Sequence, residues 1–173
     1  KRYNDVSAAA NLNELKCLFE QESSENQYDL KDIKYLPSLQ RPNKIICVGV
    51  NYPDRNAEYK DGSSAPQNPS LFIRFPSTFT AHLNPLIRPP ESEQLDYEGE
   101  IAIIIGHPGR RIKKENAFNH IAAFTLCNEG TIRDWLRHAK FNVTQGKNWS
   151  MSGSLGPYLL EFKNKEQLIN KNI

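Results

Sequence analysis

The sequence lacks two features that would place a protein in a broad functional class. It has no apolar run long enough to cross a bilayer, so we expect no membrane partner. It also lacks an excess of charge, because 22 basic and 20 acidic residues leave a formal net charge of +2. That balance gives no electrostatic reason to expect nucleic acid or an anionic membrane as a partner.

Cysteine is scarce, with three residues at wide spacing, Cys17, Cys47 and Cys127. None has a neighbour at the spacing of a metal-binding pair. Cys47 and Cys127 lie among apolar residues, which predicts small side chains in a core. Unpaired cysteines are typical of a reducing compartment, so a cytoplasmic protein is expected.

The most informative segment is Asp-Tyr-Glu-Gly-Glu at residues 96–100, followed by the apolar residues 101–105. The apolar run predicts a buried strand. If that strand includes the acidic segment, Asp96, Glu98 and Glu100 share one face, where like charges repel. A divalent cation with oxygen ligands would neutralise them, and so would water at a solvated strand end. The residues of this segment leave both interpretations open.

Periodicity and turn residues predict a strand-rich chain with short helices. Residues 60–70 are rich in Gly, Ser and Pro and are expected to form a loop, either an ordinary surface loop or a lid over a site. Thr131 is a plausible N-cap for a helix that continues to Ala139. We expect further helices over residues 7–20 and 115–123, and strands over residues 45–50, 71–75, 101–105, 124–127 and within 149–160.

Five stretches carry a resemblance to a known family: residues 44–52, 96–100, 128–134, 146–147 and 155–157. In their order and spacing, the set resembles the fumarylacetoacetate hydrolase family. The resemblance covers roughly residues 36–160. It implies an α+β fold rich in strands, a mixed, rolled β-sandwich of the type found in that family's C-terminal domain.

The resemblance also implies a domain organisation and partners. Residues 1–40 would be the end of a small N-terminal domain plus a linker. Residues 41–173 would be the N-terminal two-thirds of the catalytic domain, incomplete at its C-terminal end. Because members of the family commonly form dimers, we expect a homodimer, together with a complementary C-terminal polypeptide that completes the fold.

For the site, the resemblance implies Mg²⁺ or Mn²⁺ held by Glu98, Glu100 and Glu129, the last standing where relatives usually have Asp. Lys147 matches a family lysine that positions substrate or stabilises an enolate. Arg133, one helical turn beyond Glu129, is expected to orient that carboxylate. The implied substrate is a 2-oxo acid, a β-diketone or an oxo-dicarboxylate. It would react through a metal-stabilised enolate, by C–C hydrolysis, decarboxylation, hydration or isomerisation.

The chain departs from the family pattern at several positions. Arg55 stands where relatives often have His, whereas Glu58, three residues on, is retained. Since arginine cannot act as a base at neutral pH, we expect Arg55 to clamp a substrate carboxylate and Glu58 to act as the base through a water. Arg74, at a position that is usually Lys, is a further candidate for substrate binding. Leu136 stands where several relatives have a Gln that contacts substrate.

These departures leave alternatives to a metal-dependent enzyme. The chain would also fit a non-catalytic or degenerate metal-binding subunit of the same fold, given Arg55 and Leu136. A third interpretation is a structural β-protein whose acidic strand end is solvated. Binding of a metal and of an enolate mimic such as oxalate distinguishes the three.

Overall fold

The chain folds around antiparallel strands, as seen in a computed structural model that describes residues 28–49, 51–52, 68–138 and 143–169. The strands are β1 (Ile46–Gly49), β2 (Ser70–Ile73), β3 (Phe79–Thr80), β4 (Leu95–Asp96), β5 (Gly99–Ile105), β6 (Ile121–Asn128), β7 (Thr131–Ile132), β8 (Gly153–Leu155) and β9 (Leu160–Glu161). The α-helices are α1 (Arg133–Leu136) and α2 (Thr144–Lys147). The 3-10 turns lie at Leu30–Asp32, Pro76–Thr78, Lys114–His120 and Lys165–Gln167.

The largest sheet has the strand order β3-β8-β6-β5, and β9 also pairs with β6. Within it β3 and β8 are parallel, whereas β6 is antiparallel to β5, β8 and β9. Two further antiparallel pairs, β1–β2 and β4–β7, form separate two-stranded sheets. The long strand β6, which pairs with β5, β8 and β9, therefore lies at the centre of this sheet.

The two faces of β6 differ in burial, as expected for alternating side chains. Ala123 and Thr125 are 1% and 4% exposed, whereas Leu126 is 63% exposed. Cys127 lies on the same face as Thr125, and its partner in β5 is Glu100. The register thus places Glu100 on the buried face of the sheet.

The structure confirms the predicted fold class, a strand-rich mixture of α and β, and the strand predicted at residues 45–50. The helix predicted over residues 115–123 is wrong over its last three residues. A 3-10 turn ends at His120, and β6 begins at Ile121. Pairing with β5 along the whole of β6 outweighs a helical spacing that only a few apolar residues support.

The helix start predicted at Thr131 is also wrong. Thr131 pairs with Asp96 in the short β4–β7 ladder, and α1 begins two residues later at Arg133, with Ile132 as its N-cap. Strand pairing therefore uses the backbone that the capping pattern assigned to a helix.

Several expectations fall outside the described residues, including the helix over residues 7–20, Cys17 and most of the loop at 60–70. The domain boundary at residue 40 stays a prediction. Among the described residues, no helix is long and apolar enough to cross a membrane.

Ile132 provides a test of the packing that supports α1. Its side chain is fully buried, so Ile132→Ala should lower the free energy of unfolding by about 2–5 kcal/mol, measured by urea denaturation. Leu126→Ala, at a side chain that is 63% exposed, is the matched control and should change it by less than about 1 kcal/mol. Equal losses in the two variants would contradict the assignment of the core.

Candidate metal centre

The candidate site lies where two neighbouring stretches of strand are each broken by two residues. Tyr97 and Glu98 separate β4 from β5, and Glu129 and Gly130 separate β6 from β7. Because β4 pairs with β7 and β5 pairs with β6, the two interruptions face each other. Glu98 thus lies in a break between strands, so the strand expected over residues 101–105 extends back only to Gly99 and does not include the whole acidic segment.

Hydrogen bonds hold the backbone at this break. The N–H of Glu129 donates to the carbonyl of Glu98 at 2.8 Å, and the N–H of Glu98 donates to Asn128 Oδ1 at 3.1 Å. The Tyr52 hydroxyl donates to the carbonyl of Gly99 at 2.8 Å. The backbone that carries the acidic residues is therefore fixed from both strands and from Tyr52.

Three carboxylates converge at the break. Glu98, Glu100 and Glu129 each offer one oxygen, and these oxygens lie within 4.8 Å of one another. Glu129 is 6% exposed, and the other two are half-buried. This is the set of three that the sequence predicted as ligands.

Cationic side chains surround two of the carboxylates. Lys147 Nζ lies 2.6 Å from Glu98 Oε2 and 2.8 Å from Glu129 Oε1. Arg133 reaches Glu98 Oε1 with Nη2 at 2.9 Å and Asp96 Oδ2 with Nε at 2.8 Å. The sequence led us to expect Arg133 to orient Glu129, but the ion pairs described in the structure join it to Glu98 and Asp96.

Glu100 lacks such an ion pair among the described residues, and its electrostatics differ accordingly. Burial and the neighbouring charges of Glu129 and Glu98 raise the pKa of Glu100 to about 7, although Lys147 partly opposes the shift. At neutral pH the Glu100 carboxyl is therefore partly protonated, because burial and the two neighbouring carboxylates disfavour its charged form.

The donor set fits a hard divalent cation. Glu129 Oε1 is buried and lacks a hydrogen bond of favourable geometry, even though Lys147 Nζ lies 2.8 Å away. A carboxylate oxygen can accept more than one partner, so Glu129 Oε1 could bind a metal ion in addition to the lysine. Three carboxylate oxygens within reach of one another form the ligand type that Mg²⁺ and Mn²⁺ prefer.

Lys147 is held at the centre by close packing around α2. A Cβ at Gly146 would lie 2.8 Å from the carbonyl oxygen of Ile132 and 2.6 Å from Leu136 Cδ2, so the helix approaches α1 closely only because residue 146 is glycine. Lys147 is 5% exposed, and its Nζ lies 5.1 Å from the centroid of the Phe72 ring. The ammonium at this position is therefore largely shielded from water.

Of the remaining predicted site residues, one is described by the structure and two lie outside the described part. Arg55 and Glu58 lie outside it, so their predicted roles as clamp and base stay predictions. Arg74 is buried, and its guanidinium donates to Thr78, Gly130 and Ser152.

Sequence reasoning missed two residues that contact the centre. Thr131 Oγ1 donates to Glu98 Oε1 at 3.0 Å, and the Tyr52 hydroxyl anchors Gly99 between two of the carboxylates. Both lie within the stretches that carried the family resemblance, but only the strand register shows which group each one contacts. For Thr131, the sequence offered a single signal, a hydroxyl side chain close to the end of a predicted strand.

The two cysteines that the structure describes, Cys47 and Cys127, have pKa values raised above the ordinary value of a thiol. Burial, the largest contribution, raises the pKa values of both Cys47 and Cys127 to about 12, so both are neutral thiols at physiological pH. Both are free and half-buried, in partial agreement with the predicted core role.

The chain is thus a strand-rich α+β protein in which three carboxylates meet where two neighbouring strands are interrupted. Residues 44–170 match the family described as Fumarylacetoacetate (FAA) hydrolase C-terminal, which is well over half of the 173 residues. The chain belongs to the fumarylacetoacetate hydrolase family.

Curated relatives bear the names of enzymes. The chain is 37% identical over 137 residues to oxaloacetate tautomerase YisK of Bacillus subtilis strain 168, a match that covers 77% of this chain and 44% of that protein. It is 34% identical to the mitochondrial oxaloacetate tautomerase Fahd2a of Rattus norvegicus, over 74% of this chain and 40% of that protein. The chain therefore spans less than half the length of these relatives.

Solved structures show the same fold. A crystal structure of a probable 2-hydroxyhepta-2,4-diene-1,7-dioate isomerase from Mycobacterium abscessus matches with a TM-score of 0.67 and 29% identity. The match covers 88% of this chain and 54% of that one. Both the curated relatives and this structure thus carry names of isomerising enzymes.

The raised pKa of Glu100 predicts an unusual dependence of stability on pH. A carboxyl whose pKa is higher in the folded than in the unfolded chain destabilises the fold as pH rises from about 4.5 to about 7, and fully above that. Metal-free Glu100→Gln should therefore unfold at a higher temperature than the unsubstituted chain at pH 8, measured by circular dichroism. The difference should shrink toward pH 4.5, and a difference that does not vary with pH would contradict the assignment.

Proposed function

We propose that this chain takes part in a divalent-metal-dependent enzyme that interconverts the keto and enol forms of a 2-oxo dicarboxylic acid, with oxaloacetate as the first candidate substrate. The observation that carries the proposal is the convergence of Glu98, Glu100 and Glu129 around a buried lysine. The names of the curated relatives support the reaction, and the closely spaced oxygens support the metal.

Glu98, Glu100 and Glu129 would hold Mg²⁺ or Mn²⁺. Bound there, the cation would supply a Lewis acid for the 2-oxo group and its neighbouring carboxylate. Thr131 and Arg133 both contact Glu98 Oε1, and they would keep that carboxylate in one orientation during the reaction.

Lys147 is the residue placed to stabilise negative charge on substrate. In tautomerisation a proton leaves C3, and negative charge develops on the oxygen at C2 before that oxygen is protonated. Lys147 Nζ is a triple donor that is almost completely buried, and a hydrogen bond from it to such an oxygen is strong because water is excluded.

The base that takes the proton from C3 lies outside the geometry described so far. We retain Glu58 as the proposed base, acting through a water, and Arg55 as the proposed clamp for a substrate carboxylate. Tautomerisation needs only a proton acceptor and a proton donor, so Glu58 could serve this reaction without activating water as a nucleophile.

The predicted homodimer and complementary polypeptide also remain proposals. The paired strands β1 and β2 support them, since Ile46 lies opposite Ile73 and Val48 opposite Leu71, and all four are 43–60% exposed. An apolar face of this kind is typical of a surface that another segment or subunit covers.

Oxalate, which mimics an enolate, tests the proposed centre directly. Titration calorimetry should show oxalate binding in the presence of Mn²⁺ and none in its absence. Glu98→Gln should abolish that binding, because it removes one carboxylate ligand while keeping the side-chain shape. The matched control is Glu93→Gln, an exposed carboxyl five residues earlier, and it should bind as the unsubstituted chain does.

Other outcomes of this titration identify the rivals. A chain that binds Mn²⁺ but not oxalate would be a metal-binding subunit without catalytic function. A chain with no saturable Mn²⁺ site would be a structural β-protein with solvated carboxylates. Either result would overturn the proposed enzyme.

Lys147→Met separates substrate stabilisation from metal binding. The variant removes a cation that lies 2.6 and 2.8 Å from two proposed ligands, so Mn²⁺ should bind at least as tightly as before. Oxalate affinity at saturating Mn²⁺ should fall at least tenfold, because the anion loses its buried donor. Weaker Mn²⁺ binding with unchanged oxalate affinity would contradict the role assigned to Lys147.

A further inference from the structure

Arg74, which follows β2, is 2% exposed and spreads its guanidinium over three acceptors. Nε donates to Thr78 Oγ1 at 3.2 Å, Nη1 to the carbonyl of Gly130 at 3.1 Å, and Nη2 to Ser152 Oγ at 3.0 Å. The guanidinium carbon also lies 4.6 Å from the centroid of the Phe79 ring. Arg74 therefore has its planar group enclosed by protein rather than facing a solute.

Two of the three acceptors of Arg74, Gly130 and Ser152, lie at the interruption that carries Glu129. Gly130 follows that ligand directly, and a Cβ at residue 130 would come within 1.9 Å of the carbonyl oxygen of Ser152. A Cβ at Gly153 would lie 3.1 Å from Arg74 Nη2. The guanidinium thus bridges two segments that only glycine allows to approach so closely.

We propose that Arg74 is a positioning residue for the metal centre: it fixes the Gly130 carbonyl and, through it, the carboxylate of Glu129. This inference rests on the proposed function, in which Glu129 is a ligand. It replaces the substrate-binding role that the sequence suggested, because a guanidinium that is 2% exposed and bonded to three protein groups has no face left for a substrate.

Electrostatics agree with this placement. Burial lowers the pKa of Arg74, and the negative charge of Glu129 is the largest opposing influence. A guanidinium stays charged at any physiological pH, so a fixed positive charge lies within reach of the ligand. Lysine at this position would keep the positive charge but could not make all three hydrogen bonds. A lysine variant therefore separates the effect of the charge from the effect of the hydrogen bonds.

The test uses Arg74→Lys and Arg74→Met in the full chain, with Thr78→Val as the matched control. Thr78→Val also removes an acceptor of Arg74 at a buried position, but it leaves the bond to Gly130 intact. All three variants are first shown to be folded by circular dichroism. If Arg74→Met does not fold, Arg74→Lys against Thr78→Val decides the question.

The first measurement needs no metal. Amide hydrogen exchange at Glu129 and Thr131, followed by NMR, should be at least tenfold faster in Arg74→Lys than in Thr78→Val, because the turn has lost its clamp. Equal exchange rates in the two variants would overturn the proposal. This result stands even if the unsubstituted chain binds no Mn²⁺, an outcome that would refute the proposed function instead.

The second measurement is Mn²⁺ binding by electron paramagnetic resonance. Loss of a residue that orients a ligand typically weakens metal binding by about 10–100-fold, and we expect that loss in Arg74→Lys, with a changed spectrum of the bound ion. Thr78→Val should stay within about twofold of the unsubstituted chain. Oxalate affinity at saturating Mn²⁺ should be retained in Arg74→Lys. Unchanged Mn²⁺ affinity, or a loss of oxalate binding alone, would return Arg74 to the role of a structural or substrate-binding residue.

Discussion

Mutual repulsion among Glu98, Glu100 and Glu129 is the constraint on which the rest of this structure depends. Three carboxylates whose oxygens lie within 4.8 Å of one another, one of them 6% exposed, are unstable unless positive charge is brought to them. Lys147 reaches the cluster because α2 packs tightly on α1, and Arg133 reaches it because α1 starts directly after β7. The packing of these two helices thus places two cationic side chains beside Glu98 and Glu129. Glu100 has no ion pair among the described residues.

The sequence predicted which carboxylates come together better than it predicted the backbone that presents them. The acidic residues before an apolar run are visible locally, and the family resemblance added Glu129 from a distant part of the chain. No local pattern shows that the two strand interruptions face each other. Their relative position depends on which distant strands pair, β4 with β7 and β5 with β6. Alternation along a continuous strand predicted a common side for Glu98 and Glu100, and they do converge, although Glu98 lies between strands rather than within one.

The failures have the same physical origin. Thr131 has the chemistry of a helix cap, but its backbone pairs with Asp96 and its hydroxyl contacts Glu98 instead. The apolar residues 121–123 have a helical spacing with Phe118, but the ladder with β5 continues through them. In both cases pairing with a distant strand competes with a local preference that is worth about 1 kcal/mol or less per residue, and the pairing is favoured. Burial of Arg74 is likewise a property of its surroundings, which a charged residue in a short apolar strand does not reveal.

Arg74 shows how arginine and lysine, which carry the same charge, differ in the hydrogen bonds that they can make at a buried position. A lysine is a point charge on a flexible stem, whereas the guanidinium is a planar fork that can bond several fixed acceptors at once. Here the fork spans a hydroxyl, a carbonyl and a second hydroxyl that belong to three different segments. A lysine could satisfy only part of that set, and the remaining buried acceptors would lose their partners. In this chain the guanidinium thus links the segment that follows β2 and the residue before β8 to the backbone beside a proposed metal ligand.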